Sequence, residues 1–303
     1  MRSEFYFPSK DGKTQIHAME WIPEGEVKAV LQIAHGMVEH IERYDDFASY
    51  LTGRGIYVTG HSHLGHGKSM VDSEKLGYFA APDGNECVIG DMHNLRIMTQ
   101  EKYPEKPYVM LGHSMGSFLL RQYLGRYGKG LSGAIIMGTG DQPNVVVNAG
   151  KLVCKVLGVW KGWEHRSDFV NNLVIGGFEK KMGKGWLSRN EENVKTYTKD
   201  PLSGFVFTLN AFYHMFDGMS KMNGQEQTGK IQKDLPMFFV AGSEDPVGNN
   251  GKGVEAVYRR YQKKGAKNVS IKLYEGDRHE ILNELDKNVV YEDILKWMLK
   301  EKE

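Results

Sequence analysis

The chain has 303 residues, and its 39 lysines and arginines nearly balance its 38 aspartates and glutamates. This balance excludes the strongly basic surface that nucleic-acid binding requires, so no nucleic-acid partner is expected. The only cysteines, Cys87 and Cys154, lie far apart, which argues against a disulfide framework and favours a reducing, cytoplasmic compartment. The N-terminus lacks the apolar region of a signal peptide, and no apolar run approaches the ~18 residues that cross a membrane.

Short apolar runs alternate with helical patterns along most of the chain. The pattern begins with an antiparallel hairpin, formed by residues 4–7 and 15–21 around a turn at 10–12. Buried strands are then predicted at 27–34, 56–59, 108–111, 134–137, 237–241 and 269–274. Helices are predicted at 42–54, 86–103, 117–127, 254–264 and 288–300. Such alternation predicts an α/β fold with a mostly parallel central sheet, flanked by helices on both faces.

The alternation stops between about residues 140 and 232, where aromatic residues and methionines accumulate. We interpret residues 141–231 as a helical cap inserted into a core made of 1–140 and 232–303. The apolar side chains of the cap either form its own core or line a pocket for an alkyl chain. Phe212, Met215 and Phe216 are the candidates for substrate contact.

One turn carries the clearest chemical signal in the chain. The strand at 108–111 runs into Gly112-His113-Ser114-Met115-Gly116 and leaves as a helix. A G-x-S-x-G sequence between a strand and a helix is typical of a sharp turn that exposes a nucleophilic serine. The unpaired N–H groups at the start of the helix suit an oxyanion. Ser114 is therefore the candidate nucleophile.

The remaining catalytic groups are predicted from their order along the chain. Asp245 follows the strand at 237–241 and is the candidate orienting acid, with Glu244 as the neighbouring alternative. His279 follows the last strand and is the candidate base. The backbone N–H groups of Met37 and Met115 are the candidate oxyanion hole.

Several motifs together resemble the α/β-hydrolases of the monoacylglycerol lipase and bacterial lysophospholipase group, also called serine aminopeptidase-like hydrolases. The matching segments span nearly the whole chain and are residues 34–40, 65–69, 112–116, 242–245 and 278–280. The resemblance implies a helical cap between the strand after the nucleophile helix and the strand before the acid. One departure is Ser62, which stands where the family commonly has aspartate, in a loop that is not catalytic.

Two other interpretations of the loop at 61–69 are weaker. Gly65-His66-Gly67-Lys68-Ser69 resembles part of a phosphate-binding loop, but Ser62 replaces the first glycine of that pattern. His61, His63 and His66 could suggest a metal cluster, but they share one short loop without a distant carboxylate. No metal and no organic cofactor are expected.

The sequence predicts a serine carboxylester hydrolase that acts on monoacylglycerols, lysophospholipids or similar small acyl esters. An aminopeptidase or amidase would use the same triad and would hold the substrate amine with acidic cap residues, for which the candidates are Glu164, Asp168, Glu179, Glu191 and Glu192. A non-catalytic ligand-binding protein on this scaffold is the third alternative. Transient contact with a membrane surface and either a monomer or a homodimer are compatible with the sequence.

Overall fold

The computed structural model describes residues 1–300, which form a twisted sheet of eight strands between two layers of helices. In the order of the sheet the strands are β1-β2-β4-β3-β5-β6-β7-β8. Their bounds are Arg2–Pro8 (β1), Gln15–Trp21 (β2), Ala29–Ala34 (β3), Ile56–His61 (β4), Tyr108–His113 (β5), Gly133–Met137 (β6), Met237–Gly242 (β7) and Val269–Tyr274 (β8). The pairs β1–β2 and β2–β4 are antiparallel and all other pairs are parallel. The predicted α/β-hydrolase fold is confirmed.

The five central strands β3 to β7 are buried on both faces, as their continuous apolar sequences require. The helices of the core are Asp45–Thr52 (α1), Gly84–Lys102 (α2), Met115–Tyr127 (α3), Lys252–Lys263 (α9) and Lys287–Leu299 (α10). Side chains of α2, α3 and α9 cover one face of the sheet, and those of α1 and α10 cover the other. The predicted helix at 42–54 is a 3₁₀ turn, Ile41–Tyr44, followed by α1.

The stretch between β6 and β7, for which the sequence predicts the cap, contains helices and no strand among its described residues. These helices are Asn144–Lys161 (α4), Asp168–Asn171 (α5), Gly177–Met182 (α6), Glu191–Lys199 (α7) and Leu209–Gln227 (α8). A π-helical turn, Asn172–Gly176, joins α5 to α6. The hydroxyl of Thr208 accepts a hydrogen bond from the N–H of Ala211 and so caps α8.

Two arginines of the core bind both ends of the cap. Arg121 of α3 donates to Glu226 of α8 at 2.8 and 2.9 Å and to the carbonyl oxygen of Gly140 at 3.0 Å. Arg260 of α9 donates to Glu226 at 3.0 Å and to Asp141 at 2.5 Å. Arg121 and Glu226 are buried, so their charges are compensated within the network. The two junctions of the cap are thereby fixed to the helices beneath them.

Candidate active site

Ser114 lies on the sharp turn between β5 and α3. Its backbone has φ 53° and ψ −118°, a combination that non-glycine residues rarely adopt. The N–H of Ser114 donates to the carbonyl oxygen of Met137 at the end of β6 (3.0 Å), which anchors the turn to the sheet. The strained conformation directs the serine side chain away from the sheet, as a nucleophile on this turn requires.

Glycines on both sides of Ser114 are required by close backbone contacts. A Cβ atom on Gly112 would collide with the carbonyl oxygen of Gly116, and a Cβ on Gly116 would collide with that of Ala34. Helix α3 therefore approaches the end of β3 more closely than any side chain would permit.

His279 and Asp245 are joined by a hydrogen bond of 2.9 Å between Nδ1 of the imidazole and Oδ1 of the carboxylate. Both side chains are buried, and both lie on loops that leave the carboxyl ends of neighbouring strands, β8 and β7. The N–H of Val247 also donates to Asp245 Oδ1. Glu244, the alternative acid, is instead half-exposed and lies 3.8 Å from Arg278. The structure thus brings Asp245, and not Glu244, to the histidine.

The loop after β3 passes directly against the nucleophile turn. A Cβ atom placed on Gly36 would lie 2.6 Å from Oε1 of Glu39 and 3.2 Å from Cβ of Ser114. Met37 follows Gly36 and lines the same cavity as Ser114. Met115 is the first residue of α3, where backbone N–H groups have no acceptor within the helix. Both amides therefore belong to segments that border the serine side chain.

A buried ionic network that the sequence analysis did not anticipate links the nucleophile turn, the histidine loop and the cap. Arg43 donates to Glu39 at 2.8 Å and makes two bonds of 2.7 Å to Glu280, the neighbour of His279. Asn193 of α7 also donates to Glu280 at 2.7 Å. His113, the neighbour of Ser114, has Nδ1 3.3 Å from Oε1 of Glu39. Every member of the network except Asn193 and Arg43 is fully buried in the interior.

The charges in this network shift the pKa values of its members in opposite directions. Burial alone would raise the pKa of Glu39, but the hydrogen bond from His113 and the charge of Arg43 hold that pKa well below its ordinary value. Burial opposes protonation of His113, yet the hydrogen bond to Glu39 and its negative charge raise the pKa of the imidazole. The network therefore favours the ionised form of Glu39 and the protonated form of His113.

Ser114 and His279 line one large cavity between the sheet and the cap, with a volume of about 660 Å³. This volume is in the range of small-molecule sites. Of the predicted substrate-contacting residues, Met215 and Phe216 line the cavity. Phe212 does not: it is fully buried one turn earlier in α8, with its ring 5.4 Å from that of Phe207.

The aromatic residues of the cap divide among three environments. Phe207 and Phe212 belong to the interior, whereas Trp186, Phe205 and Phe216 line the cavity. Trp160 does neither, because 79% of its surface is exposed on α4. The two environments that the sequence predicts are thus both present, and a third, exposed one was missed.

Comparison with known proteins agrees with this geometry. Residues 25–286 match the Hydrolase_4 family, described as serine aminopeptidase, S33. The chain belongs to this family. Its members are α/β-hydrolases, and the match includes every candidate catalytic residue of this Hydrolase_4 protein.

Individual relatives point to ester hydrolysis. The chain is 26% identical to mouse monoglyceride lipase, covering 92% of this chain and 84% of the relative. It is also 26% identical to monoacylglycerol lipase of Mycolicibacterium smegmatis, covering 98% and 97%. The crystal structure of a thermostable carboxyl esterase from Bacillus coagulans superposes with a TM-score of 0.85 at 31% identity, covering 98% and 97%. This Hydrolase_4 protein is a carboxylester hydrolase.

Proposed function

We propose that Ser114, His279 and Asp245 form a catalytic triad that hydrolyses monoacyl esters, with monoacylglycerols and lysophospholipids as the substrate class. The observation that carries the proposal is the 2.9 Å bond from His279 to the buried Asp245, in a cavity that also contains the strained Ser114. A serine, a histidine and an oriented carboxylate are the three groups that acyl transfer to serine requires.

In the proposed reaction Oγ of Ser114 attacks the ester carbonyl carbon while Nε2 of His279 accepts the serine proton. Asp245 holds the other ring nitrogen and stabilises the imidazolium that forms. The oxyanion accepts hydrogen bonds from the amides of Met37 and Met115, each of which contributes roughly 2.7–4 kcal/mol in comparable hydrolases. His279 then donates its proton to the departing alcohol, and water activated by the same imidazole releases the acid from the acyl-enzyme.

The lining of the cavity favours an acyl chain over a peptide. Helix α4, the π-helical turn and α8 contribute aliphatic and aromatic side chains to the lining, including Val153, Val174 and Met219. Of the five acidic cap residues that could hold a substrate amine, only Glu179 lines the cavity, and it is paired with Lys184. A neutralised carboxylate offers little to an ammonium group, so an exopeptidase is disfavoured.

The outer face of the cap supports contact with a lipid surface. Helix α4 exposes a continuous apolar stripe beside the cavity, and no helix among residues 1–300 is long and apolar enough to cross a membrane. The stripe consists of Val145, Val146, Leu152, Val156, Val159 and Trp160. The exposed Lys155 and Lys161 border it. An apolar stripe flanked by lysines suits the boundary of an anionic lipid layer.

The function is tested by hydrolysis of p-nitrophenyl esters from acetyl to palmitoyl and of a monoacylglycerol, with S114A as the blank. We expect the highest kcat/KM at a medium or long chain and no activity above background in S114A. A maximum at acetyl would contradict the lipid substrate class. Retained activity in S114A would refute the nucleophile. Hydrolysis of amino-acid anilides in preference to all esters would transfer the assignment to a peptidase.

Lipid contact is tested by flotation with phosphatidylglycerol vesicles. W160S should reduce the bound fraction, because it removes the largest exposed apolar side chain of the stripe. L285S is the matched control, since Leu285 is 70% exposed but lies on the core. Equal binding of the two variants would contradict a docking role for the cap.

A further inference from the structure

Trp186 of the cap packs against the candidate catalytic base. The ring centroids of Trp186 and His279 are 5.2 Å apart, with 38° between the ring planes. Trp186 is the last residue of the 3₁₀ turn Gly183–Trp186 and lines the cavity, and only 7% of its surface is exposed. The ring of Phe178 of α6 packs on the indole, with 5.7 Å between the two ring centroids. The cap therefore presents a large aromatic surface beside the imidazole, and a bond from Arg278 to the carbonyl oxygen of Gly185 (2.7 Å) ties this turn to the histidine loop.

The indole N–H of Trp186 has no hydrogen-bond partner among residues 1–300, although the atom is buried. An unpaired buried donor is unfavourable, and phenylalanine would fill similar space without one. What indole supplies beyond phenylalanine is a more negative aromatic face, which attracts a cation within about 6 Å of the ring centroid. His279 lies within that distance and becomes a cation during the proposed reaction.

We propose that Trp186 is a positioning residue that acts through His279, its aromatic face stabilising the imidazolium that forms as Ser114 loses its proton. This inference rests on the proposed function, because it requires His279 to act as the general base. It also gives the cap a part in the chemical step, beyond enclosing the acyl chain.

Other groups around the imidazole define what the indole adds. Asp245 bonds Nδ1 of His279, and the ring of His113 lies 4.8 Å away, held by Glu39. The adjacent Glu280 is neutralised by Arg43. Among these neighbours His113 is the one whose protonation, which its bond to Glu39 favours, would oppose an imidazolium. An aromatic face offsets such repulsion without a further buried carboxylate.

The first test replaces Trp186 and measures kcat, KM and folding together. W186F should lower kcat for p-nitrophenyl butyrate about 5-fold, and W186L about 10- to 30-fold, because the cation–π attraction weakens and then disappears. The midpoint of thermal unfolding should fall little in W186F, since the unpaired N–H is removed. W163F is the matched control: Trp163 is a cap tryptophan that packs on Tyr213 and does not line the cavity. An unchanged kcat in W186L would overturn the proposal.

The second test changes the electron density of the ring and leaves its shape nearly constant. The protein is produced with 5-fluoro-, 5,6-difluoro- or 5,6,7-trifluorotryptophan, which labels all five tryptophans. We expect kcat to fall stepwise by about 2- to 5-fold overall, and the acid limb of the pH–activity profile to move to lower pH. W186F with the same labels should show neither trend.

The two tests separate this inference from the function on which it rests. If the enzyme is fully active and its kcat does not change with fluorination, the role of Trp186 is refuted and the proposed triad is unaffected. An equal decline in labelled W186F would assign the effect to the other tryptophans and also refute it. Absence of ester hydrolysis in the unlabelled wild-type protein would instead refute the function.

Discussion

His113 holds the loop of the catalytic base: its imidazole Nε2 lies 3.1 Å from the main-chain carbonyl oxygen of His279. Because a carbonyl can only accept, this nitrogen carries the hydrogen. The residue before the nucleophile therefore fixes the backbone of the base, while its other nitrogen faces Glu39. Glu39 in turn accepts from the N–H of Gly36 at 2.6 Å. Glu39 is thus a buried charge that connects the oxyanion loop, the nucleophile turn and, through Arg43, the histidine loop.

We expect E39Q to be less stable than the wild-type protein by about 2 kcal/mol at pH 7, because charged hydrogen bonds to Arg43 and Gly36 are weakened. The pKa of Glu39 is lowered in the folded state from its ordinary 4.5. Its stabilisation is therefore complete above pH 4.5 and is lost as the pH falls through the lower folded value. Urea unfolding between pH 3 and pH 8 should show that the difference in stability between E39Q and the wild-type protein becomes smaller in acid. E24Q, at an exposed glutamate, is the control, and a pH-independent difference would contradict the assignment.

Asp91 should show the opposite dependence on pH. Burial raises its pKa to about 7, although it accepts hydrogen bonds from Ser9 and the N–H of Lys10. Because the folded pKa lies above the unfolded one, the associated stability is complete below about pH 4 and is lost as the pH rises through 7. D91N should remove this loss. The free energy of unfolding of the variant should therefore rise relative to that of the wild-type protein as the pH increases, by at most about 1.4 kcal/mol per pH unit. Parallel unfolding curves for the two proteins would contradict it; D168N, at an exposed cap carboxylate, serves as control.

Replacing the orienting carboxylate should affect turnover and leave folding unchanged. We expect D245N to lower kcat about 10⁴-fold, because an amide does not hold the imidazole in the productive tautomer. E244Q removes an acid from the adjacent position and should keep nearly full activity, since the Glu244 carboxylate is exposed and lies near Arg278. Steady-state kinetics of both variants decide between the two acids, and a larger loss in E244Q would reverse the assignment.

G116A should abolish activity through the backbone. The added methyl group would collide with the carbonyl oxygens of Ala34 and His35, so the nucleophile helix must move away from the oxyanion loop. G224A is the matched control, because a Cβ at Gly224 of α8 would meet no atom of the described residues 1–300 within 4 Å. Removing a glycine from a helix should raise its stability by about 1 kcal/mol. Activity and urea unfolding of both variants check this pair, and an active G116A would contradict the close approach.

The strands and the nucleophile turn could be predicted because their signals are local. The apolar run ending at Leu111 and the glycines around Ser114 each constrain only a few adjacent residues. Asp245 and His279 could be placed because chain order determines the edge of a parallel sheet at which their loops emerge. These predictions depend on the backbone path and not on side-chain packing.

Contacts between distant segments could not be predicted in the same way. Glu39 and Glu280 are both visible in the motifs, but nothing in the sequence pairs them through Arg43. The direction of a side chain in the cap depends on the rotation of its helix against the core, which separates Phe212 from Met215. Trp186 is one of the aromatic residues of the cap, but its partner His279 lies more than 90 residues away in the sequence.

Arg121 and Arg260 fix the two ends of the cap on the core, because both bind Glu226 and Arg260 also binds Asp141. The insert is also attached between its ends, because Asn193 donates to Glu280 and Arg278 donates to the carbonyl oxygen of Gly185. A cap transplanted from a relative should therefore dock on this core only if it brings acids to the two junctions and partners for Arg278 and Glu280. Substrate range in such an enzyme can diverge by replacement of one cassette, while the sheet that carries Ser114 stays the same.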